Sequence, residues 1–122
     1  MRYLLLIHVD PSATESASPA EREESMKEWF AYPEDLRAAG CLVDGNALHG
    51  PETATTVRVA GEEVTVTDGP FAETKEHLGG YYMVDCDDLD GALHWAGRCP
   101  GARIGAIEVR PVMEIPDQPA AG

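Results

Sequence analysis

Residues 2–9, Arg-Tyr-Leu-Leu-Leu-Ile-His-Val, are apolar at both parities. Tyr3, Leu5, Ile7 and Val9 alternate with Leu4, Leu6 and His8. A strand with one wet face shows a polar residue at every second position, so this run reads as a strand covered on both faces. Ser18-Pro19-Ala20-Glu21 then marks a helix start. Ser18 suits the cap, Pro19 the first helical position, and Glu21 the third, where a capping box has its carboxylate. Met26, Trp29, Phe30 and Leu36 supply a partial apolar stripe at helical spacing. Pro33 removes a backbone donor and crowds the preceding turn, which predicts a kink or two short helices meeting near Tyr32. Gly40 suits a C-terminal cap.

Residues 41–51 read as an irregular link with a short strand near 47–49. Two β-branched runs, 55–59 and 63–67, are joined by Ala60-Gly61-Glu62 and predict a hairpin. A polar connection, residues 68–80, follows. It opens on Asp68-Gly69-Pro70 and closes on Gly79-Gly80. A connection of that length and polarity between two strands commonly carries function. Residues 80–85 read as a strand. Asp87, Asp88 and Asp90 surround the start of a second helix, in which Leu89, Ala92, Leu93, Ala96 and Cys99 recur at spacings of three and four. Pro100-Gly101 stops it. From 107 to 115, Ile107, Val109, Met113 and Ile115 alternate with Glu108, Arg110 and Glu114, a half-buried strand that Pro111 puts near a sheet edge.

Strand, helix, hairpin, strand, helix, strand is the order of an α+β, ferredoxin-like split βαβ fold, with an antiparallel sheet and two helices on one face. Residues 1–116 form the domain and 117–122 a flexible tail. Two helices cover one face of the sheet, whereas the first strand calls for cover on both. The expectation is a homodimer packed sheet against sheet, apolar at its centre.

Charge narrows the function. Among 122 residues, 22 acidic and 9 basic side chains give a net charge of −13. Direct nucleic-acid or anionic-membrane binding needs a positive field and is not expected. The run Leu4–Ile7 falls far short of the ~20 apolar residues that span a bilayer. Cys41, Cys86 and Cys99 are odd in number and widely spaced, with no Cys-x-x-Cys. They read as buried thiols of a reduced, cytoplasmic protein, not as a disulfide framework or zinc site.

Candidate chemistry gathers around the polar connection and the first strand. Asp68 opens an Asx-type turn or serves as a general base at the sheet edge. Glu73 and His77 are four apart, and Lys75 and Glu76 lie between them. Asp68, Glu73 and His77 lack a metal-ligand spacing signature, so no metal and no cofactor are implied. His8 interrupts an apolar run on a central strand. It is either a core histidine with a satisfied hydrogen bond or a proton-transfer group in a dimer cavity. His49 carries the same ambiguity, and His94 belongs to the surface. Arg110 either binds a substrate carboxylate or pairs with Glu73 or Asp68 to tie the loop to the sheet. Tyr81 and Tyr82 point to opposite faces, with Tyr82 taken as the one lining a ligand cavity.

Thr-Asp-Gly-Pro-Phe-Ala-Glu-Thr-Lys-Glu at 67–76, Leu-Gly-Gly-Tyr-Tyr at 78–82 and Glu-Val-Arg-Pro-Val at 108–112 resemble the DGPF family of YCII-related proteins. The helix over 88–100 is similar too, so the resemblance covers nearly the whole chain. It implies a dimeric α+β barrel, and for some members a link to alternative sigma factors. Better-described relatives carry a proposed His–Asp pair on the first helix and at its end. Residues 18–40 contain no histidine, and Ala38-Ala39 precede Gly40, so that pair does not transfer.

Two functions follow. One is a small-molecule binder or cofactor-free acid–base enzyme. There His8 and Asp68 exchange protons while Arg110, His49, Glu73 and Tyr82 orient the ligand. The other is a non-enzymatic accessory protein whose acidic surface engages a basic partner such as a sigma factor.

Overall fold

The computed structural model describes residues 1–116. β1 (Arg2–Val9) leads into α1 (Pro19–Ala38), then β2 (Leu42–Ala47). The hairpin β3 (Thr55–Ala60) and β4 (Glu63–Asp68) follows, then β5 (His77–Asp85), α2 (Leu89–Arg98) and β6 (Gly105–Pro111). Four strands form one sheet in the order β2-β5-β1-β6, with every pairing antiparallel. Both helices lie on one face, and the fold is α+β and ferredoxin-like.

The helix starts follow their local signals. The Ser18 side chain accepts from the Glu21 amide and the Glu21 side chain accepts from the Ser18 amide, a complete capping box. Asp88 caps α2 by accepting from the Gly91 amide. α1 nevertheless runs through Pro33 as one helix and does not split near Tyr32. Pro33 deprives the turn of one amide, and packing of the following turn holds the helix together, since Tyr32 and Leu36 are both buried.

The buried stripes differ from those expected. On α1, Trp29, Tyr32 and Leu36 face the sheet, while Met26 and Phe30 stand exposed. On α2, Ala92, Trp95 and Ala96 are buried, and Leu89 and Leu93 are exposed. Several stripes at spacings of three and four coexist on one helix, and only the sheet decides which is covered. The core joins these residues to Tyr3, Leu5 and Ile7 of β1 and Val84 of β5. Leu4, Leu6 and His8 point to the opposite, helix-free face. There Leu4 pairs with Met83 and Arg110, and Leu6 with Tyr81 and Glu108.

Three strand boundaries move. The second sheet strand is β2, Leu42–Ala47, earlier than the short strand expected near 47–49. β5 starts at His77, so Gly79 and Gly80 lie inside a strand and do not close a loop. Gly80 permits the approach of β2: a side chain there would come within 2.8 Å of the Asn46 carbonyl. β6 stops at Pro111, leaving Met113 and Ile115 exposed. Pro111 sits on an edge strand, where a missing ladder donor is tolerated.

The hairpin does not join the main sheet. β3 and β4 pair only with each other, Thr55 opposite Asp68 through Ala60 opposite Glu63. The expected tail, 117–122, lies outside the described residues.

Candidate functional site

A cleft of about 840 Å³ opens between α1 and the β2–β5 edge of the sheet. Ile7 and Val9 of β1, Trp29 and Met26 of α1, and Tyr82 of β5 make it largely apolar. Trp29 reaches the floor because Gly101 carries no side chain. A Cβ there would come within 2.9 Å of Ile7 and 3.1 Å of the Trp29 ring. Gly45 plays the same part for Tyr82, whose ring would lie 2.5 Å from a Cβ at that position. The Tyr82 ring meets the Tyr32 ring edge-on at 5.2 Å. Burial raises the Tyr82 phenol above its usual range, so it remains a neutral donor in the cleft wall.

The charged groups at the rim are Glu15, Glu21, Arg22 and Arg37. Glu21 is engaged in the capping box, and Arg37 is paired with Glu34. Arg22 donates to the Glu15 carbonyl at 3.4 Å and makes no ion pair among the described residues. It is therefore the cation at this cleft with bonding capacity to spare, its guanidinium able to hold an acidic oxygen in bidentate fashion.

A second, shallower groove lies over the far end of β1. His8, Ala106 and Ile104 border it, with Asp10 at one side and Thr74, Lys75 and Glu76 of the polar connection above. His8 Nε2 lies 3.1 Å from Glu108 Oε1 on the neighbouring strand, and the His8 side chain is 32% exposed. A carboxylate so placed fixes the ring's orientation. His8 and the cleft occupy opposite faces of β1, because Ile7 and Val9 line the cleft and His8 alternates with them.

The residues singled out from sequence are scattered in a single chain. His8 contacts Glu108, while Asp68 ends β4 on the separate hairpin. The Asp68 carboxylate makes no hydrogen bond among the described residues. The turn after it is tied by the Gly69 amide to the Ala54 carbonyl at 2.7 Å, and by Thr56 Oγ1 to the Gly69 carbonyl at 2.8 Å. Arg110 forms no ion pair with Glu73 or Asp68. It stands opposite Leu4, whereas the polar connection overlies the groove at His8, four residues or about 13 Å further along the strand. His49 and Glu73 are exposed and border neither cavity. Tyr82 alone of the set lines the cleft. No group of three or more His, Cys, Asp or Glu side chains among the described residues is arranged to hold a metal ion.

The sequence reading passed over Trp29 and Arg22 as site residues. Trp29 belongs to the apolar stripe of α1 and packs on the core, and it also faces the cleft. Glu108, which meets His8 from the neighbouring strand, and Asp10, which borders the groove from the turn after β1, were missed as well.

The YCII-related domain model matches residues 1–116. The chain belongs to the YCII-related family. An uncharacterised protein from Rhizobium meliloti (strain 1021) is 40% identical over 114 residues, covering 92% of each chain. Among solved structures, the YCII fold seen here is similar to 5-chloro-2-hydroxyhydroquinone dehydrochlorinase from Burkholderia phenoliruptrix AC1100. That enzyme was solved in complex with 2,5-dihydroxybenzoquinone. The TM-score is 0.54 at 16% identity, over 93% of this chain and 94% of the other, a likeness of fold. No helix among the described residues is long and apolar enough to cross a membrane.

Proposed function

We propose that this protein binds a small, planar, oxygen-bearing organic molecule in the cleft between α1 and the sheet. The observation that carries the reading is the cleft itself. About 840 Å³, bordered by two aromatic rings and one unpaired guanidinium, falls within the ~300–1,000 Å³ of small-molecule sites. Trp29 and Tyr82 offer ring surface, the Tyr82 hydroxyl a donor, and Arg22 a partner for an acidic oxygen. The hydroxyquinone held by the structurally similar dehydrochlorinase supports that ligand class.

Calorimetric titration with 2,5-dihydroxybenzoquinone and its neutral dimethyl ether tests the reading. Trp29→Ala weakens both ligands by about tenfold or more, the loss of one well-packed ring. Arg22→Ala weakens the acidic ligand selectively. Failure of both probes to bind, or binding indifferent to both substitutions, sinks the proposal.

A second reading concerns the other face of the sheet. Leu4, Leu6, Tyr81 and Met83 form an apolar strip there without helix cover, which favours a homodimer packed sheet against sheet. Such a partner would close the His8 groove, and His8 with Glu108 would then form a cofactor-free acid–base site. Asp68, Glu73, His49 and Arg110 join that reading only if a second copy brings them to the same face. Sedimentation of the native chain and of Leu6→Lys tests it: a dimer that Leu6→Lys splits supports it, and a monomeric native chain ends it. The sigma-factor alternative rests on the family resemblance and the charge of −13; salt-sensitive co-purification with a sigma factor favours it, and no partner at low salt counts against it.

A further inference from the structure

Two of the three cysteines, far apart in sequence, meet in the fold. Cys41 follows the end of α1 and enters β2, and Cys86 leaves β5 ahead of α2. The ladder between β2 and β5 brings them together. Leu42 lies opposite Val84, and the Asp85 amide donates to the Cys41 carbonyl at 2.8 Å. Both side chains turn to the helix-covered face and pack on one core cluster. There the Cys41 thiol donates to the Ala39 carbonyl at 3.7 Å, and its nearness is one of the causes, after burial, that raise the Cys86 thiol. In that ladder Cys41 lies opposite Asp85, one residue short of Cys86, and a diagonal across strands about 4.8 Å apart puts the two Cα atoms about 6 Å apart, within the separations that a disulfide bridges. Cys99 lies elsewhere, 1% exposed beside Tyr32 and Tyr82 at the end of α2.

We propose that Cys41 and Cys86 form a reversible intramolecular disulfide on exposure to a peroxide, making this junction a redox modification site. Burial separates the roles of the two sulfurs. Cys86 is 7% exposed, and burial pushes its thiol up to about 11, so it stays protonated and unreactive toward external oxidants. Cys41 is half-buried and open to solvent on one side. Its thiolate attacks hydrogen peroxide. The O–O bond breaks, hydroxide leaves and takes up the thiol's proton as water, and Cys41 becomes a sulfenic acid. The Cys86 sulfur then attacks the Cys41 sulfur. The S–O bond breaks, the departing oxygen takes the Cys86 proton and leaves as water, and the S–S bond forms. Two thiols and one peroxide thus give one disulfide and two waters. A dithiol such as dithiothreitol reverses the step by exchange.

The bond would close the loop from residue 41 to residue 86, which contains β2, the hairpin, the polar connection and β5. It would pin the edge strand that carries Leu42 and Gly45 of the cleft wall. Closure of so long a loop restricts the unfolded chain and raises stability.

The test treats the full reduced chain with hydrogen peroxide, then denatures, alkylates and maps the peptides by mass. The expected product is a monomer with Cys41 linked to Cys86 and Cys99 still alkylated. Its melting temperature is raised by on the order of 5–10 °C, from the loop entropy. Dithiothreitol restores the starting mass and melting point. Cys99→Ser behaves as the parent. Cys41→Ser, a substitution at a half-exposed position that keeps the core intact, forms no bond and gains no stability. The proposal is overturned if all three thiols remain alkylatable, if Cys41 proceeds to sulfinic acid unresolved, or if the linkage joins two chains or involves Cys99.

Discussion

The Tyr32 hydroxyl donates a hydrogen bond to the Trp95 carbonyl oxygen at 2.6 Å, joining α1 to α2 across 63 residues of sequence. The same ring lies edge-on to Trp95 at 6.3 Å and to Tyr82 at 5.2 Å. Burial pushes the Tyr32 phenol well above its usual range, so it stays a donor through the alkaline pH scale. One residue thereby ties both helices to the back of the cleft.

Removing that hydroxyl leaves a buried carbonyl without its partner. Tyr32→Phe should lower the unfolding free energy by about 1–2 kcal/mol with an unchanged urea slope. An unaltered midpoint in urea would show that the helices are held by ring packing alone.

Two glycines should respond in opposite directions to the same substitution. Gly97 lies within α2 with nothing within 4 Å of an added Cβ. Gly97→Ala should therefore stabilise by about 0.5–1 kcal/mol through helix propensity. Gly105 starts β6, where a Cβ would overlap the His8 carbonyl. Gly105→Ala should destabilise by about 2–4 kcal/mol, since the clashing atoms are backbone and cannot turn aside. Thermal unfolding of the pair checks both signs at once.

The turn after β1 carries an acid-sensitive cap. Asp10 accepts from the Ser12 amide at 2.9 Å and from the Ser12 hydroxyl at 2.8 Å. The amide bond chiefly, then the hydroxyl bond, holds its carboxyl below the ordinary aspartate value of 3.8. A depressed folded value means that the cap's contribution is present above the unfolded value and lost as pH falls through the folded one. Carboxyl titration by NMR should give Asp10 a midpoint below 3.8, and Ser12→Ala should move it part of the way back. An Asp10 midpoint at 3.8 would remove the cap from consideration.

The capping box at the start of α1 should act as a unit. Ser18→Ala and Glu21→Ala should each cost about 1 kcal/mol, and the double variant less than the sum. Full additivity in chemical denaturation would mean that the two reciprocal bonds do not cooperate.

Signals confined to a few residues were legible from the chain alone. Ser18 and Glu21 meet within one turn, Asp88 reaches the Gly91 amide, and Pro100 ends α2. These contacts depend on local backbone geometry, which the residue types fix. Fold class followed, because alternation and helical spacing report the period of each element, whereas the hairpin's exclusion from the sheet was not legible. Of the two apolar parities of β1, Tyr3, Leu5 and Ile7 face the helices, and Leu4 and Leu6 stand on the helix-free face.

Tertiary structure decided whatever depended on partners distant in sequence. Periodicity offered several apolar stripes on α1, and contact with β1 selected Trp29, Tyr32 and Leu36 over Met26 and Phe30. His8 found Glu108 rather than Asp68, because β6 pairs with β1 while Asp68 is carried off on a hairpin that pairs only with itself. Trp29, Tyr82 and Arg22 border one cleft, and Cys41 and Cys86 pack on one core cluster, only because α1, β2 and β5 converge. Such encounters arise from burying apolar surface across long loops, a cooperative outcome of the whole chain that no short window of sequence encodes.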